Sequence, residues 1–375
     1  MNILTLSNYY PEHTGGIEFV ALNLVQRWRR NHTVRWMACE TTFYHHVAVP
    51  DDIPLPALNF TEERLGFPYP LPLPAALPRI LEQVRWCDVL HLHDCLYAAN
   101  QIAFWAAQYY NKPVFVTQHV AEVPYSQPYK KLLQNLAYAT LGKILLQNAD
   151  GVVFISQRVQ NWFSHRLRFR RPPRLIPNGV DRTLFCPPAA GERESARLRL
   201  NFSAEAPLLL FIGRFTAKKG LHIIQKMAAA CPAWNWLLLG AGELDPAGWN
   251  LPNVRVLSPQ PQADLRGFYL AADLLILPSA GEGFPLVVQE ALACGLPAAI
   301  SSETAAHLSD APLIALNTKD LETTLQIITS LLSDPLRLTA MRLSAADYAR
   351  RWDWDVMAAQ HETWFAETLS SQPCA

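Results

Sequence analysis

Short apolar runs alternate with longer segments of helical period along the chain, and the alternation occurs twice. In the first half the runs are "NILTLS" from residue 2, "TVRWMAC" from 33, "DVLHLHD" from 88, "PVFVTQH" from 113 and "GVVFIS" from 151. In the second they are "LLLFIGR" from 208, "WNWLLLGAG" from 234, "VRVLSP" from 254, "DLLILPS" from 273 and "PAAIS" from 297. Runs this short, rich in Ile, Val and Leu, read as strands buried on both faces, the pattern of parallel sheets sandwiched between helices. Each half therefore predicts a doubly wound α/β unit.

A chain of 375 residues exceeds the size at which one core keeps growing, so two domains with a cleft between them are expected. The proline-punctuated stretch "RPPRLIPNGVDRTLFCPP" from 171, with its Asn-Gly turn, places the linker near 174–190. The expected domains are 1–178 and 179–350, followed by a tail, 351–375. The tail's "RWDWDVMAAQHETWFAETL" reads as an amphipathic helix with a Trp-rich face. Eight prolines between Pro50 and Pro78 predict a long irregular loop or extended segment at the first domain's rim.

Composition narrows the class. Half the residues are hydrophobic and 17% are charged, which suits a globular protein with ample core. Seven cysteines lie scattered with no C-x-x-C pair, so neither a disulfide framework nor a zinc site is indicated, and a reducing cytosol is expected. The opening "MNILTLSNYYPEHTGG" lacks a basic leader region, and no run approaches the ~18 apolar residues of a membrane span. A cytoplasmic protein, soluble or peripheral on the inner face of a membrane, is the expectation.

The formal charge of zero conceals a split, with 17 basic against 12 acidic residues in 1–180 and 15 against 20 in 181–375. Nine basic residues in 125–174 face only Asp150. That segment suits either an anionic partner or a solvated face. Its "YKKLLQNLAYATLGKILLQNAD" could lie on an anionic membrane or pack on its own sheet. Nucleic acid is not expected as a partner, because the basic excess is local and no binding module accompanies it.

Four constellations could carry chemistry. Gly15 and Gly16 end a strand-turn and open a helix, where backbone amides and the helix N-terminus suit an anion, or simply a βα turn needing glycine. G-x-G-x-x-G is missing there, so a dehydrogenase is disfavoured although Glu40 mimics its acidic residue. Arg214 and Lys219 in "GRFTAKKG" leave the carboxyl end of a predicted strand, where they could hold a diphosphate or be ordinary surface cations. In "EGFPLVVQE", residues 282–290, Glu282 hangs from a glycine-rich loop and Glu290 projects from a helix running from about 285 to 294. The amides of Leu286 and Val287 open that helix toward an anion. The two carboxylates could instead be a glycosidase pair or metal ligands, but neither reading uses the anion site or the two cations. A nucleotide sugar uses all of them.

His119 ends a predicted strand and is either structural or part of the site. Nearby, His91 and His93 fall on one strand face without further ligands, so a metal is not assigned.

Taken together, the Gly15-Gly16 loop, "TQH" at 117–119, "IPNGVD" at 176–181, "GRFTAKKG" at 213–220, the 282–290 segment with "EALACGLP" and the Trp-rich tail resemble the retaining glycosyltransferases of family 4. The resemblance implies the GT-B fold, two Rossmann-like domains facing each other across a cleft, with the final helix crossing back to the first. It implies that Glu290 binds the ribose hydroxyls and that Arg214 and Lys219 bind the diphosphate. The amides of Gly16, Phe284, Leu286 and Val287 would bind phosphate or sugar, in loops shaped by Gly15 and Gly283. Glu282 would hold the hexose hydroxyls, and His119 would sit beside the sugar ring. His119, Arg214, Lys219 and Glu282 are thus the expected catalytic set, with no metal, no other cofactor and no protein nucleophile. The implied reaction carries a hexosyl or N-acetylhexosaminyl unit from a nucleoside diphosphate sugar to a glycan, glycolipid or other cell-envelope acceptor. Uridine is expected only because uridine donors are common. A non-catalytic partner, an epimerase or a phosphorylase on the same fold remain the alternatives.

Overall fold

The computed structural model describes residues 1–13, 15–41, 46, 49–65, 69–122, 127–203, 205–280, 282, 285–306, 308 and 310–370. Contacts divide the chain into two compact units, Met1–Asn178 with Trp354–Ala375, and Gly179–Asp353.

Among the described residues, the first unit is built on eight strands: β1 (Asn2–Tyr9), β2 (Thr33–Glu40), β3 (Asp52–Leu58), β4 (Leu71–Pro72), β5 (Val89–His93), β6 (Val114–Gln118), β7 (Gly151–Phe154) and β8 (Arg174–Leu175). Their order in the sheet is β4-β3-β2-β1-β5-β6-β7-β8. All pairs are parallel except β3 with β4. Because β1 and β5 are neighbours but far apart in sequence, winding reverses between them and their carboxyl-end loops splay apart. Doubly wound sheets bind ligands at such a switch point.

Of the two forms expected for the proline cluster, irregular loop or extended segment, the structure shows the extended one in part, interleaved with helix. The cluster contains β3, the helix Phe60–Leu65, β4 and the start of the helix Ala76–Trp86. Pro54 and Pro56 sit within β3 at spacing two, in register with Ala38 and Glu40 of β2. A parallel strand alternates its N–H groups between its two edges, so prolines at that spacing remove donors from one edge alone. The carbonyl of Pro56 remains an acceptor and takes the N–H of Leu73 at 2.8 Å.

The second unit carries β9 (Leu208–Ile212), β10 (Asn235–Leu239), β11 (Val254–Leu257), β12 (Leu274–Leu277), β13 (Ala298–Ser301) and β14 (Leu313–Leu316), in the order β11-β10-β9-β12-β13-β14. Every pair is parallel. Its switch point falls between β9 and β12, the two strands whose loops hold Lys219 and Glu282. β9 and β12 are buried throughout, which accounts for their unbroken apolar runs.

The tail is the helix Trp354–Ser370, and it belongs to the first unit. It buries Trp354, Met357, Ala358, His361, Trp364, Phe365 and Thr368, one face at helical spacing. Trp28 Nε1 donates to the carbonyl of Ala358 at 3.2 Å, and the rings of Phe115 and Phe365 meet edge to face at 4.6 Å.

Candidate active site

The second unit gathers most of the expected residues. The loop leaving β9 folds tightly against the end of β12. Gly220 adopts φ +75°, and a Cβ there would lie 2.5 Å from the carbonyl oxygen of Pro278, so only glycine fits on both counts. Ala280 N–H donates to the carbonyl of Lys218 at 3.0 Å, joining the two loops. Lys219 Nζ consequently reaches Glu282 Oε1 at 2.8 Å. Burial pushes the Glu282 carboxyl up, but Lys219, Lys218 and Arg214 outweigh it and hold the group below its ordinary value. It is therefore ionised at neutral pH. Lys218, in the same quoted motif, belongs to this set and was missed by the sequence argument. Arg214 is exposed. Three cations acting on one carboxylate leave a local excess of positive charge, which suits a polyanion.

Glu290 is buried on the helix Leu286–Ala293. Tyr269 Oη donates to its Oε2 at 2.7 Å, and Gln262 Nε2 to its Oε1 at 3.1 Å. Gln262 and Tyr269 stand two turns apart on the helix Gln262–Ala271, hence on one face. Burial raises the Glu290 carboxyl to about 7, and the two donors only partly oppose it. Leu286 and Val287 lie half-buried in the first turn, where helix geometry leaves their N–H groups without intrahelical acceptors. Gly283 and Phe284 lie outside the described residues.

In the first unit, Gly16 begins the helix Gly16–Trp28 and Gly15 caps it in an extended conformation. A Cβ on Gly15 would lie 1.9 Å from Glu18 Oε2. The group that approaches Gly15 is the protein's own carboxylate, the far end of a side chain. Glu18 is buried and 3.8 Å from His13 Nδ1. A phosphate at this N-terminus would meet that carboxylate.

His119 follows β6 and is buried. It is not a lone histidine: His93 Nδ1 lies 2.9 Å from its Nε2, with the rings stacked at 22°. Burial drives His119 down to about 3 and His93 well below its ordinary value, so both rings are neutral. A second chain runs behind them. His361 Nδ1 lies 2.8 Å from the carbonyl of Met357 and donates to it, so the neutral ring's Nε2 accepts from Thr117 Oγ1 at 3.3 Å. Thr117 then accepts from His91 Nε2 at 2.8 Å, and His91 Nδ1 accepts from Thr5 Oγ1 at 3.0 Å. Of the two histidines for which no metal was assigned, His91 belongs to this chain joining the sheet to the final helix, and His93 pairs with His119. Among the described residues, no three His, Cys, Asp or Glu side chains gather as a metal site would require.

The basic segment divides. The helix Pro128–Ala137 buries none of its residues, and Tyr129, Leu132, Leu133 and Leu136 are each more than half exposed. Leu145 and Leu146 of the helix Lys143–Asn148 are buried. Packing on its own sheet thus describes the second helix and not the first. No helix among the described residues is long and apolar enough to cross a membrane.

Comparison with known proteins bears on the family and the fold. Residues 14–184 match the model of Glycosyltransferase Family 4, and residues 206–334 that of Glycosyl transferases group 1. The D-inositol 3-phosphate glycosyltransferase of Thermobispora bispora is 28% identical over 75% of this chain and 71% of its own length. A GDP-mannose-dependent monoacylated alpha-(1-6)-phosphatidylinositol monomannoside mannosyltransferase of Corynebacterium glutamicum is 25% identical over 60% of this chain and 63% of its own length. Among solved structures, sucrose-phosphate synthase from Thermosynechococcus elongatus superposes with a TM-score of 0.78 at 20% identity, covering 99% of this chain and 100% of that one. Anabaena HepE in complex with UDP gives 0.77 at 19%, with the same coverage. At these identities the two structures show the fold alone.

Proposed function

The chain belongs to the family 4, group 1 glycosyltransferases of the GT-B fold, and on that premise we propose what it transfers and how. It moves a hexosyl or N-acetylhexosaminyl unit from a nucleoside diphosphate sugar, UDP-linked in the first instance, to a hydroxyl of a glycan, glycolipid or other cell-envelope acceptor. It does so with retention of configuration and without a divalent metal.

The observation that carries this reading is the set of charges at the switch point of the second unit. Arg214, Lys218 and Lys219 act on one carboxylate, Glu282, and Glu290 is held on an adjoining helix by Tyr269 and Gln262. A diphosphate answers the excess cations, ribose hydroxyls answer Glu290, and hexose hydroxyls answer the ionised Glu282.

In the reaction the bond between the anomeric carbon and the phosphate oxygen breaks while a bond to the acceptor oxygen forms. The acceptor's proton passes to the departing phosphate. Negative charge therefore grows on the leaving oxygen, and donors already aimed there lower the barrier more than they tighten ground-state binding. Lys219 and Arg214 take this role, and the first-turn amides of Leu286 and Val287 add to it. Lys219 also keeps Glu282 ionised, so one cation serves both the phosphate and the sugar's anchor. His119 contributes a hydrogen bond to the transferred sugar.

The named relatives act on an inositol phosphate and on a phosphatidylinositol mannoside. A polyol or glycolipid acceptor extends that pattern to this chain. The exposed leucines of the helix Pro128–Ala137, beside Lys130 and Lys131, support delivery from an anionic membrane surface.

The test is incubation with UDP-, GDP- and ADP-linked hexoses and N-acetylhexosamines, in chelator, against a panel of polyol, glycan and glycolipid acceptors. A new glycoside of unchanged anomeric configuration, formed together with free nucleoside diphosphate, is expected. Release of sugar phosphate, a metal requirement or an inverted product would refute the corresponding part.

A further inference from the structure

The sequence His93-Asp94 stands at the carboxyl end of β5, beside His119 at the end of β6, and both residues act on it. Asp94 Oδ1 accepts the backbone N–H of His119 at 2.8 Å and that of Val120 at 3.4 Å. The His93 ring meets the His119 ring through Nδ1 and Nε2. Asp94 reaches this position in a left-handed conformation, φ +66°, which a residue with a Cβ seldom adopts. The conformation is held from three sides. Asp94 N–H donates to the carbonyl of Thr117 at 2.9 Å, and the buried Asn100 Nδ2 donates to the carbonyls of His93 and Asp94 at 2.7 and 2.8 Å. Strain that the surroundings over-determine in this way is typical of functional sites.

We propose that His93 and Asp94 are positioning residues for His119, fixing its backbone and ring so that Nδ1, carrying the proton, is the atom His119 offers to the transferred sugar. Its Nε2 is already spent on His93. The proton's location follows from the far side of the His93 ring, where Nε2 is fully buried with no hydrogen-bond partner among the described residues. Two neutral imidazoles share one N–H between Nδ1 and Nε2. If His119 donated, the proton of His93 would sit on that partnerless Nε2. Proteins tolerate an orphaned buried N–H less readily than an under-used acceptor. His93 Nδ1 therefore donates, and His119 keeps its proton on Nδ1. The residue meets its ligand as a hydrogen-bond donor and not as a base.

This inference rests on the proposed function only for what His119 touches. Its test separates the two. Protein labelled with 15N-histidine gives the tautomer of each ring from long-range correlation spectra, with His119 assigned by its loss in His119→Asn. The wild type is expected to show His119 protonated at Nδ1. His93→Asn, whose side-chain amide can still donate, should keep that tautomer. In His93→Leu the proton should redistribute toward Nε2. The turnover of His93→Leu should fall about 10- to 100-fold, the scale of a misplaced catalytic group, with donor KM little changed and with recovery in His93→Asn. An Nε2 tautomer in the wild type, or no redistribution in His93→Leu, would overturn the assignment. Redistribution without loss of turnover would overturn the link to the sugar. If the tautomers behave as expected but no glycoside forms with any donor, the positioning stands and the functional reading fails.

Discussion

Lys219 Nζ lies 2.8 Å from Glu282 Oε1, an ion pair between the cation assigned to the departing diphosphate and the carboxylate assigned to the sugar. The pair is held by the fold itself, through the tight approach of Gly220 to Pro278 and the hydrogen bond from Ala280 N–H to the carbonyl of Lys218. Its electrostatics thus need little reorganisation when charge develops, which is where preorganised donors gain their advantage.

Removing the cation tests that arrangement. Lys219→Ala should lower turnover about 10²- to 10³-fold, the usual loss for a donor aimed at developing charge. Glu282 then loses the cation that lowers it most, so its carboxyl should titrate higher than in the wild type. Steady-state kinetics across pH reads both effects, and a variant retaining most of its turnover would take Lys219 out of the catalytic set.

Glu290 should make donor binding depend on pH. Its carboxyl sits at about 7, and the ionised form accepts ribose hydroxyls best. Affinity for the nucleoside diphosphate should rise with pH through that value and then level off. Glu290→Gln should bind weakly and without the pH step. An affinity for the wild type that stays flat from pH 5.5 to 8.5 would contradict the ribose assignment.

The two units should respond to acid in opposite directions. His119 titrates at about 3 and His361 at about 4, with His91 and His93 also depressed, whereas unfolded histidine titrates at about 6.5. The folded first unit therefore binds fewer protons than its unfolded form in that window, and its stability falls as pH drops below about 6.5. Each histidine contributes about 1.4 kcal/mol per pH unit, opposed by Asp94, which burial raises to about 7. In the second unit the raised Glu290 works the other way. The stability it contributes is complete below about 4.5 and is lost as pH rises to about 7, at most about 3 kcal/mol in all. Calorimetry from pH 7 to 5 should show one transition moving down while the other holds or rises. Parallel movement of both would argue against these assignments.

The helix Pro128–Ala137 should bind anionic lipid. Sedimentation with vesicles containing phosphatidylglycerol should carry the protein down at low salt and release it at high salt, since screening shortens the reach of Lys130, Lys131 and Lys143. Leu132→Glu with Leu136→Glu should abolish sedimentation and leave the fold intact, because both side chains are exposed. Binding that survives the double substitution would place the surface elsewhere.

The sheets were legible in sequence because strands such as β9 and β12 are buried on both faces and read as unbroken apolar runs. The proline stretch stayed open between irregular loop and extended segment, and the spacing of two between Pro54 and Pro56, which a strand edge permits, is what marks β3. At the candidate site, Glu282 and Lys219 stand out as charges on loops after apolar strands. Tyr269 and Gln262 do not, because nothing local marks a residue whose partner is 21 or 28 positions away. His93 was visible in the sequence, yet its meaning depends on a ring 26 positions on. The Gly15-Gly16 turn adds a related case. Sequence shows where glycine makes room, but not that Glu18 fills it.

The most direct test of the account is calorimetric titration of UDP-, GDP- and ADP-hexoses into the full-length protein in chelator, repeated with Glu290→Ala. One donor should bind the wild type without metal and lose most of its affinity in the variant. If no donor binds without metal, or if the variant binds as well as the wild type, the second unit does not hold the nucleotide sugar in the way proposed.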